Sequence, residues 1–330
     1  PEGVSFYNES VKLYEKMARE LDFNVMFSQR GHLTLAHTDG SIRTMRRRAE
    51  VNQLQGVDSR LIWPDEIARL CPYLDLSGHP RYQILAALYH PPGGIVRHDA
   101  VVWGYAHQAD VRGVHIHQQT EVTGLEVQEG KITGVQTTRG DIQTGTVLNA
   151  TAGWGSIIAG MAGVKLPLVT FPLQACVTEP LKPFLNVVVV SGSLHVYVSQ
   201  SDRGELVMVA SVDHFASYSM TGSLSFLESI AGHILELFPS LSHVRVLRQW
   251  AGLCDMTPDY SPIMGITPVE GFLVDGGWGT YGFKASPICG KTLAALIATG
   301  VTPALIAPFR LSRFAEHDLV GEKGAAAVGH

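Results

Sequence analysis

The sequence predicts an α+β fold with two sheets interleaved along the chain, and three observations lead to this prediction. Segments with apolar residues three and four positions apart, typical of helices, alternate with segments in which every second residue is apolar, typical of strands. The period-two segments form two groups, one at residues 115–148 and a mostly antiparallel one at residues 172–210. With 330 residues, 45% of them apolar, the chain is long enough for one large or two ordinary domains.

Several of the segments with helical spacing are bounded by residues that begin or end helices. Asp99 is placed to cap a helix at its start, while Pro239 and Gly300 each follow the end of one. Pro64, with acidic residues behind it, begins a further short helix. The longer predicted helices are residues 6–21, 41–55, 98–111, 153–162, 224–238 and 283–299.

The strands are predicted from alternation and from the turn residues between them. Glu129-Gly130 and Arg139-Gly140-Asp141 separate the strands of the first group, which is therefore predicted to be a β-meander. The predicted strands are residues 24–27, 32–36, 84–89, 115–117, 122–128, 132–137, 142–148, 172–177, 186–190, 194–198, 206–210, 244–250 and 272–275.

Composition and charge argue against several classes of function. The net charge of −5 gives no basic field for nucleic acid or an acidic membrane surface. No apolar run reaches the roughly 18 residues of a membrane span, and no signal peptide opens the sequence, so a cytoplasmic protein is expected. Cys71, Cys176, Cys254 and Cys289 lie far apart, so we expect reduced, mostly buried thiols. The histidines lack ligand spacing, and no metal site is predicted.

The beginning of the sequence indicates a fragment. Pro1-Glu2-Gly3 contains no Met and leads directly into a helical pattern. A truncated chain is therefore expected.

A glycine-rich motif lies between a predicted strand and a predicted helix. Gly277-Trp278-Gly279-Thr280-Tyr281-Gly282 matches the pattern G-x-G-x-x-G. A dinucleotide-binding unit also needs an acidic residue about 20 positions further on. No Asp or Glu lies between Asp275 and Glu316, and no second parallel strand follows the helix, so we reject a complete unit of this kind. Two interpretations stay open: a tight turn, or the close approach of a negatively charged ligand such as a reduced flavin to a helix N-terminus.

Two further segments favour a ligand. A predicted strand ends in the small residues Ala152 and Gly153, followed by Trp154, where a phosphate or ribose could approach the backbone. Val122, at the start of the meander, could pack against an adenine.

Together these three segments resemble those that flank FAD in the amine-oxidizing flavoproteins of the D-amino-acid oxidase superfamily. Five motifs, and the ending Gly324-Ala325-Ala326-Ala327-Val328, are similar to the sarcosine oxidase β-subunit family within it. The motifs are Phe27-Ser28-Gln29-Arg30-Gly31, Arg97-His98-Asp99, His195-Val196-Tyr197-Val198-Ser199-Gln200, Gly277-Trp278-Gly279-Thr280 and Gly282-Phe283-Lys284. The resemblance runs over essentially the whole chain.

The resemblance implies a D-amino-acid-oxidase-like fold that lacks its first βαβ unit. An incomplete FAD-binding lobe would comprise residues 95–165 and 250–300, approximately. An antiparallel substrate lobe would comprise residues 22–94 and 166–249, with residues 301–330 as a tail. Because the missing unit holds the FAD pyrophosphate in the family, weak FAD binding is expected.

The resemblance also implies roles for individual residues. His98 would carry FMN through a covalent bond from its imidazole, and Arg97 would stabilise negative charge on that flavin. Lys284 would bind the substrate carboxylate or take part in oxygen activation. His195 and Tyr197 alternate on a predicted strand, and their shared face would line the substrate cavity. FAD would be contacted by Val122, Ala152, Gly153, Trp154, Asp259, Gly277, Trp278, Gly279, Thr280, Tyr281, Gly282, Phe283 and Lys284.

Each of these roles has an alternative that needs no ligand. His98 can simply open a helix, and Lys284 can be a surface lysine whose aliphatic chain lies along the protein. Asp259 can be a turn former, and the face with His195 and Tyr197 can be ordinary packing.

The implied reaction is the oxidation of sarcosine to glycine and formaldehyde, with electrons passing from FAD to FMN and then to oxygen. The implied partners are α, γ and δ subunits, with FMN between the α and β subunits. One departure from the family is Arg97, which stands where the family has Lys. Two alternatives remain: another secondary amine or amino acid as substrate, such as proline or glycine, and a flavin-free chain that acts only as an interaction subunit.

Overall fold

The computed structural model describes residues 2–78 and 81–321. The terminal motif Gly324-Ala325-Ala326-Ala327-Val328 lies outside the described residues. The α-helices are α1 (Glu2–Glu20), α2 (Asp39–Leu54), α3 (Pro64–Leu70), α4 (His98–Val111), α5 (Gly155–Met161), α6 (Leu224–Leu237) and α7 (Gly282–Thr299). The first strands are β1 (Ser28–Gln29), β2 (His32–Ala36), β3 (Arg60–Ile62), β4 (Ala86–His90), β5 (Gly94–Ile95), β6 (Val122–Gln128), β7 (Lys131–Thr137) and β8 (Ile142–Gln143). The others are β9 (Val147–Asn149), β10 (Val169–Thr178), β11 (Val188–Ser191), β12 (Val196–Gln200), β13 (Leu206–Val212), β14 (Val246–Met256), β15 (Ile263–Ile266) and β16 (Phe272–Gly276).

The largest sheet has eight strands in the order β14-β10-β13-β12-β11-β2-β4-β3. Neighbouring strands are antiparallel except β11 and β2, which are parallel. One face carries the main hydrophobic core, in which Leu33 and Leu35 of β2 pack with Ile67 of α3 and Ile230 of α6. Because side chains alternate along a strand, His32 points to the opposite face.

Two three-stranded sheets form the other part of the molecule. One has the order β15-β16-β9, with β16 parallel to β9, and the other is the antiparallel meander β6-β7-β8. The meander packs on β16 through Ile132, which shares a core cluster with Phe272 and Val274. Helix α7 packs on β16 through Leu293, which shares a second cluster with Leu273 and with residues of α1.

The predicted α+β class is confirmed, and most predicted helices and strands lie within a few residues of their predicted ends. The strand predicted at residues 24–27 is wrong, because Met26 has a φ of 54° and the short strand begins at Ser28. Residues 115–117 alternate but are exposed and form no strand. The segment at 142–148 divides into β8 and β9, which belong to different sheets. Strand β15 was not predicted.

The four cysteines are buried free thiols, as the sequence predicts. None of the helices formed by residues 2–78 and 81–321 is long and apolar enough to cross a membrane.

Candidate active site

The glycine-rich turn at residues 277–282 connects the carboxyl end of β16 with the first turn of α7. Gly277 and Gly279 have φ angles of 76° and 54°, in the left-handed region that favours glycine. A side chain on Gly277 would come within 2.5 Å of Cγ2 of Thr257, and one on Gly279 within 2.8 Å of the sulfur of Met256. Both backbone angle and space therefore require glycine here.

Two carboxyl groups, the buried Asp255 and the half-buried Asp275, hold this turn. The N–H of Gly277 donates to the Asp255 carboxylate at 2.5 Å, and that of Gly279 donates to the Asp255 carbonyl at 2.9 Å. The indole N–H of Trp278 donates to Asp275 at 2.7 Å. Burial raises the pKa of Asp255, and it raises the pKa of Asp275 to about 6. Neither residue was identified from the sequence, in which Asp255 is 22 positions from its partner Gly277.

A loop after β14 lies against the turn and is fixed by a buried ion pair. Arg313 donates from Nε and Nη2 to the two carboxylate oxygens of Asp259 at 2.8 and 3.0 Å, and both side chains are buried. Arg313 also donates to the carbonyl of Ser261 at 2.8 Å. The Asp259 carboxylate is thus engaged within the protein, and Arg313 was not identified from the sequence. A small pocket between this loop and the turn is lined by Val212, Met256, Thr257, Tyr260, Gly277, Trp278, Gly279, Thr280 and Tyr281.

The segment Ala152–Trp154 is a 3₁₀ turn after β9, and Asn149 organises it. The Asn149 amide donates to the Gly155 carbonyl at 2.8 Å, and its oxygen accepts from the Thr151 hydroxyl at 2.7 Å. Gly153 packs so closely that a side chain there would come within 2.9 Å of Cβ of Leu253 on β14. Trp154 is exposed by 42%.

Lys284 lies in the first turn of α7 with its ammonium group against aromatic rings. Its Nζ atom is 3.8 Å from the ring centre of Tyr281 and 4.9 Å from that of Tyr7. Burial and, next, the positive charge of Lys284 lower the pKa of His32 to about 4. His32 was not identified from the sequence, and it lies on the face of the large sheet that the main core leaves free.

Tyr197 lies on that same face, whereas His195 does not belong to the strand. Tyr197 pairs with Val190, which in turn pairs with Thr34 of β2, two residues from His32. Burial raises the pKa of Tyr197. His195 precedes β12 in a turn with a φ of 50°, so the predicted alternation of His195 with Tyr197 is wrong.

Arg97 and His98 lie at the start of α4, apart from the glycine-rich turn. Arg97 donates from Nε and Nη2 to Asp99 at 3.0 and 2.6 Å, which raises the pKa of Arg97. The predicted capping role of Asp99 is wrong, because Arg97 occupies the N-cap position and Asp99 accepts from the adjacent N–H of Ala100. His98 is exposed.

Val122 begins β6, where it pairs with Thr137. Strands β6 and β7 form a hairpin, and Val122 lies at its open end. Near the other end, the N–H of Ile132 donates to the Glu270 carbonyl at 2.9 Å, which connects the meander with the β15-β16-β9 sheet. The structure therefore brings together the glycine-rich turn, the loop that contains Asp259, and Lys284, whereas Val122 begins β6 and His98 begins α4.

The chain is similar to known proteins over nearly its whole length. Residues 1–296 match the family model described as FAD dependent oxidoreductase. The chain is 45% identical to sarcosine oxidase subunit beta of Rhodobacter capsulatus, over 99% of this chain and 79% of that protein. It is 44% identical to the same subunit of an Arthrobacter species, over 100% of this chain and 81% of that protein.

Solved structures show the same fold. L-proline dehydrogenase from P. horikoshii superposes with a TM-score of 0.89 at 30% identity, covering 96% of this chain and 84% of that one. Glycine oxidase from Geobacillus kaustophilus superposes with a TM-score of 0.84 at 21% identity, covering 92% and 81%. With a family model that covers residues 1–296 and relatives 43–45% identical, the chain belongs to the FAD-dependent oxidoreductase family.

Proposed function

We propose that this chain is the β subunit of a sarcosine oxidase and that it oxidizes sarcosine with FAD. The observation that carries the proposal is the position of Lys284. Its ammonium lies in the first turn of α7, beside the glycine-rich turn, where it can pair with the carboxylate of a small substrate. The relatives that are 43–45% identical are named as subunits of sarcosine oxidase, and sarcosine is a small carboxylate.

The residues of the site fit FAD. The turn has no side chain at Gly277 or Gly279, and it leads into the N-terminus of a helix of 18 residues, where negative charge is favoured. Trp154 and Phe283, each 42% exposed, provide apolar surface beside it. Asp259 supports the site through its loop, and Ala152, Gly153 and the residues from Gly277 to Phe283 would contact the cofactor. We assign these segments to an FAD-binding lobe of residues 95–165 and 250–300, and the large sheet to a substrate lobe of residues 22–94 and 166–249.

The overall reaction is sarcosine, oxygen and water giving glycine, formaldehyde and hydrogen peroxide. When bound, FAD supplies the oxidizing power for the C–N bond of the N-methyl group. Lys284 binds the carboxylate and so orients the methyl group. Tyr197, half-buried on the same face of the large sheet as His32, would line the substrate cavity.

The proposed function predicts which substrate reduces the flavin. In the assembled enzyme, without oxygen, sarcosine should bleach the visible flavin band faster than L-proline, the substrate named for a structural neighbour at 30% identity. Lys284→Met should weaken the binding of carboxylate ligands roughly 10- to 150-fold, the value of a charge-assisted hydrogen bond. The exposed Lys165→Met is the matched control. Faster bleaching by proline would favour the proline-oxidizing alternative.

We further propose that His98 carries FMN covalently and that the α subunit covers it, with γ and δ completing the enzyme. His98, Val102 and Tyr105 lie on one face of α4, at spacings of four and three residues. Val102 is 59% exposed, Tyr105 40% and the neighbouring Trp103 59%, an unusual amount of apolar surface around one histidine. The relatives are named as β subunits, which implies partner chains.

Assembly tests the partner surface on α4. Val102→Asp should weaken association with the α subunit, measured by co-purification and gel filtration, because a charge would enter an apolar interface. Leu54→Asp on α2, where Leu54 is 88% exposed, is the control and should assemble normally. Normal assembly of the Val102 variant would place the partner elsewhere.

A further inference from the structure

One face of α1 contacts the first turn of α7 at three points. Tyr7, Ser10 and Tyr14 are spaced by three and four residues and therefore share this face. The Ser10 hydroxyl donates to the Lys284 carbonyl at 2.6 Å, and the Tyr14 hydroxyl donates to the Phe283 carbonyl at 2.6 Å. The Tyr7 ring approaches the Lys284 ammonium.

Pro287 explains why α7 accepts hydrogen bonds from another helix so close to its start. A proline inside a helix has no N–H for the carbonyl four residues earlier, and that carbonyl here belongs to Phe283. Tyr14 supplies the missing donor. The first turn of α7 is therefore fixed by α1 as well as by its own helical hydrogen bonds.

The Lys284 ammonium lies between two aromatic rings. It is 3.8 Å from the centre of the Tyr281 ring and 4.9 Å from that of Tyr7, and the two ring centres are 6.3 Å apart. The negative faces of the rings attract the ammonium, which offsets the unfavourable helix dipole. They also restrict a long side chain that would otherwise sample many rotamers.

We propose that Tyr7 and Tyr281 are positioning residues that hold the Lys284 ammonium in place for the substrate carboxylate. This inference rests on the proposed function of Lys284 as the carboxylate-binding group. A pre-ordered ammonium binds a carboxylate more tightly, because the loss of side-chain freedom has already occurred before the ligand arrives. The selectivity of the site for acids over neutral analogues then depends on α1, an element that makes no contact with the substrate in this proposal.

The test compares a carboxylate ligand with its amide in the assembled holoenzyme. The dissociation constants of methylthioacetate and methylthioacetamide are measured from the change in the visible flavin spectrum. The native enzyme should prefer the acid, and Lys284→Met should lose this preference. Tyr7→Leu should weaken the binding of the acid roughly threefold or more, the range of a cation–π contact, and leave the binding of the amide unchanged. Tyr281→Leu, in the turn that contacts the cofactor, should lower the preference for the acid over the amide by a similar factor. Tyr7→Phe should behave as the native enzyme does.

Two outcomes separate this inference from the proposed function. If Lys284→Met loses the preference but both leucine variants keep it, the positioning role is wrong and the carboxylate role of Lys284 stands. If Lys284→Met itself keeps the preference, the proposed function of Lys284 is wrong. Should a leucine variant fail to fold, Tyr7→pentafluorophenylalanine keeps the ring size but removes the negative ring face. This variant should bind the acid more weakly and the amide as the native enzyme does. Native affinity for the acid in this variant would overturn the inference.

Discussion

At the scale of single residues, the half-buried Asp275 helps to hold the glycine-rich turn. Asp275 accepts the indole N–H of Trp278, yet burial raises its pKa to about 6. An unfolded Asp has a pKa of about 3.9, so the folded protein binds the proton more tightly than the unfolded chain does. The contribution of Asp275 to stability is therefore greatest below about pH 4, and it falls as the pH rises towards 6.

Asp275→Asn removes this ionization and keeps an oxygen for Trp278. We expect the variant to be more stable than the native chain near pH 7.5, by up to about 3 kcal/mol, and equally stable near pH 4. Urea unfolding at both pH values measures the difference. Asp141→Asn, at an exposed turn, is the control. A stability difference that does not change with pH would contradict the assignment.

We expect stability to fall more when one partner of the buried Asp259–Arg313 pair is replaced than when both partners are replaced. Arg313→Met leaves the Asp259 carboxylate buried without its cation, which should lower the free energy of unfolding by about 3–5 kcal/mol. Adding Asp259→Asn should restore more than half of the loss, because no uncompensated charge remains. Arg310→Met, which breaks exposed ion pairs with Glu316 and Asp318, should have little effect. An equal loss in the single and double variants would show that packing, not charge, is responsible.

At the scale of elements, the turn before α7 requires a glycine at position 277, whereas the helix itself does not require the glycine at position 290. Gly277→Ala should destabilise the protein by about 1–3 kcal/mol, because φ is 76° and Cγ2 of Thr257 lies 2.5 Å from the new Cβ. Gly290→Ala, inside the helix with open space around it, should stabilise by about 0.5–1 kcal/mol. Chemical denaturation of both variants measures the contrast. Unchanged or increased stability of Gly277→Ala would show that the turn does not need its left-handed backbone.

Local patterns predicted the elements better than they predicted the site. Helix α4 was predicted at residues 98–111 and α7 at 283–299, where they are found to within one residue, because spacing and a C-terminal glycine are local features. The peptide at 115–117 alternates as a strand does, but strand formation needs a partner, which no local pattern reveals. The glycine-rich turn was identified by its own residues.

The groups that hold the site come from distant parts of the chain. Asp255 is 22 residues from Gly277, Arg313 is 54 from Asp259, and Ser10 is 274 from Lys284. Burial and tertiary contact created these pairs, and no spacing in the sequence marks them. For the same reason, His195 was placed on a strand by alternation, whereas its positive φ ends that alternation.

At the scale of the whole molecule, α1 lies between the two proposed flavin sites. Its residue Tyr14 contacts Phe283 at the start of α7 and stacks on Phe27, with ring centres 5.7 Å apart. The same part of α1 packs in a cluster with Val101 of α4, three residues after His98. The start of α7 and the start of α4 therefore both pack against α1, and Lys284 and His98 lie on different helices.

This separation gives a prediction for His98. In the assembled native enzyme, the peptide that contains His98 should be heavier by one FMN, and flavin fluorescence should stay with this chain after denaturation. His98→Asn should abolish both signals and slow turnover with oxygen, while the reduction of FAD by sarcosine remains, because Lys284 and the glycine-rich turn are untouched. His107→Asn, at another exposed histidine of α4, should change none of these properties. An unmodified native peptide would show that His98 only opens the helix, and Arg97→Lys would then test whether the arginine beside it prevents flavin attachment.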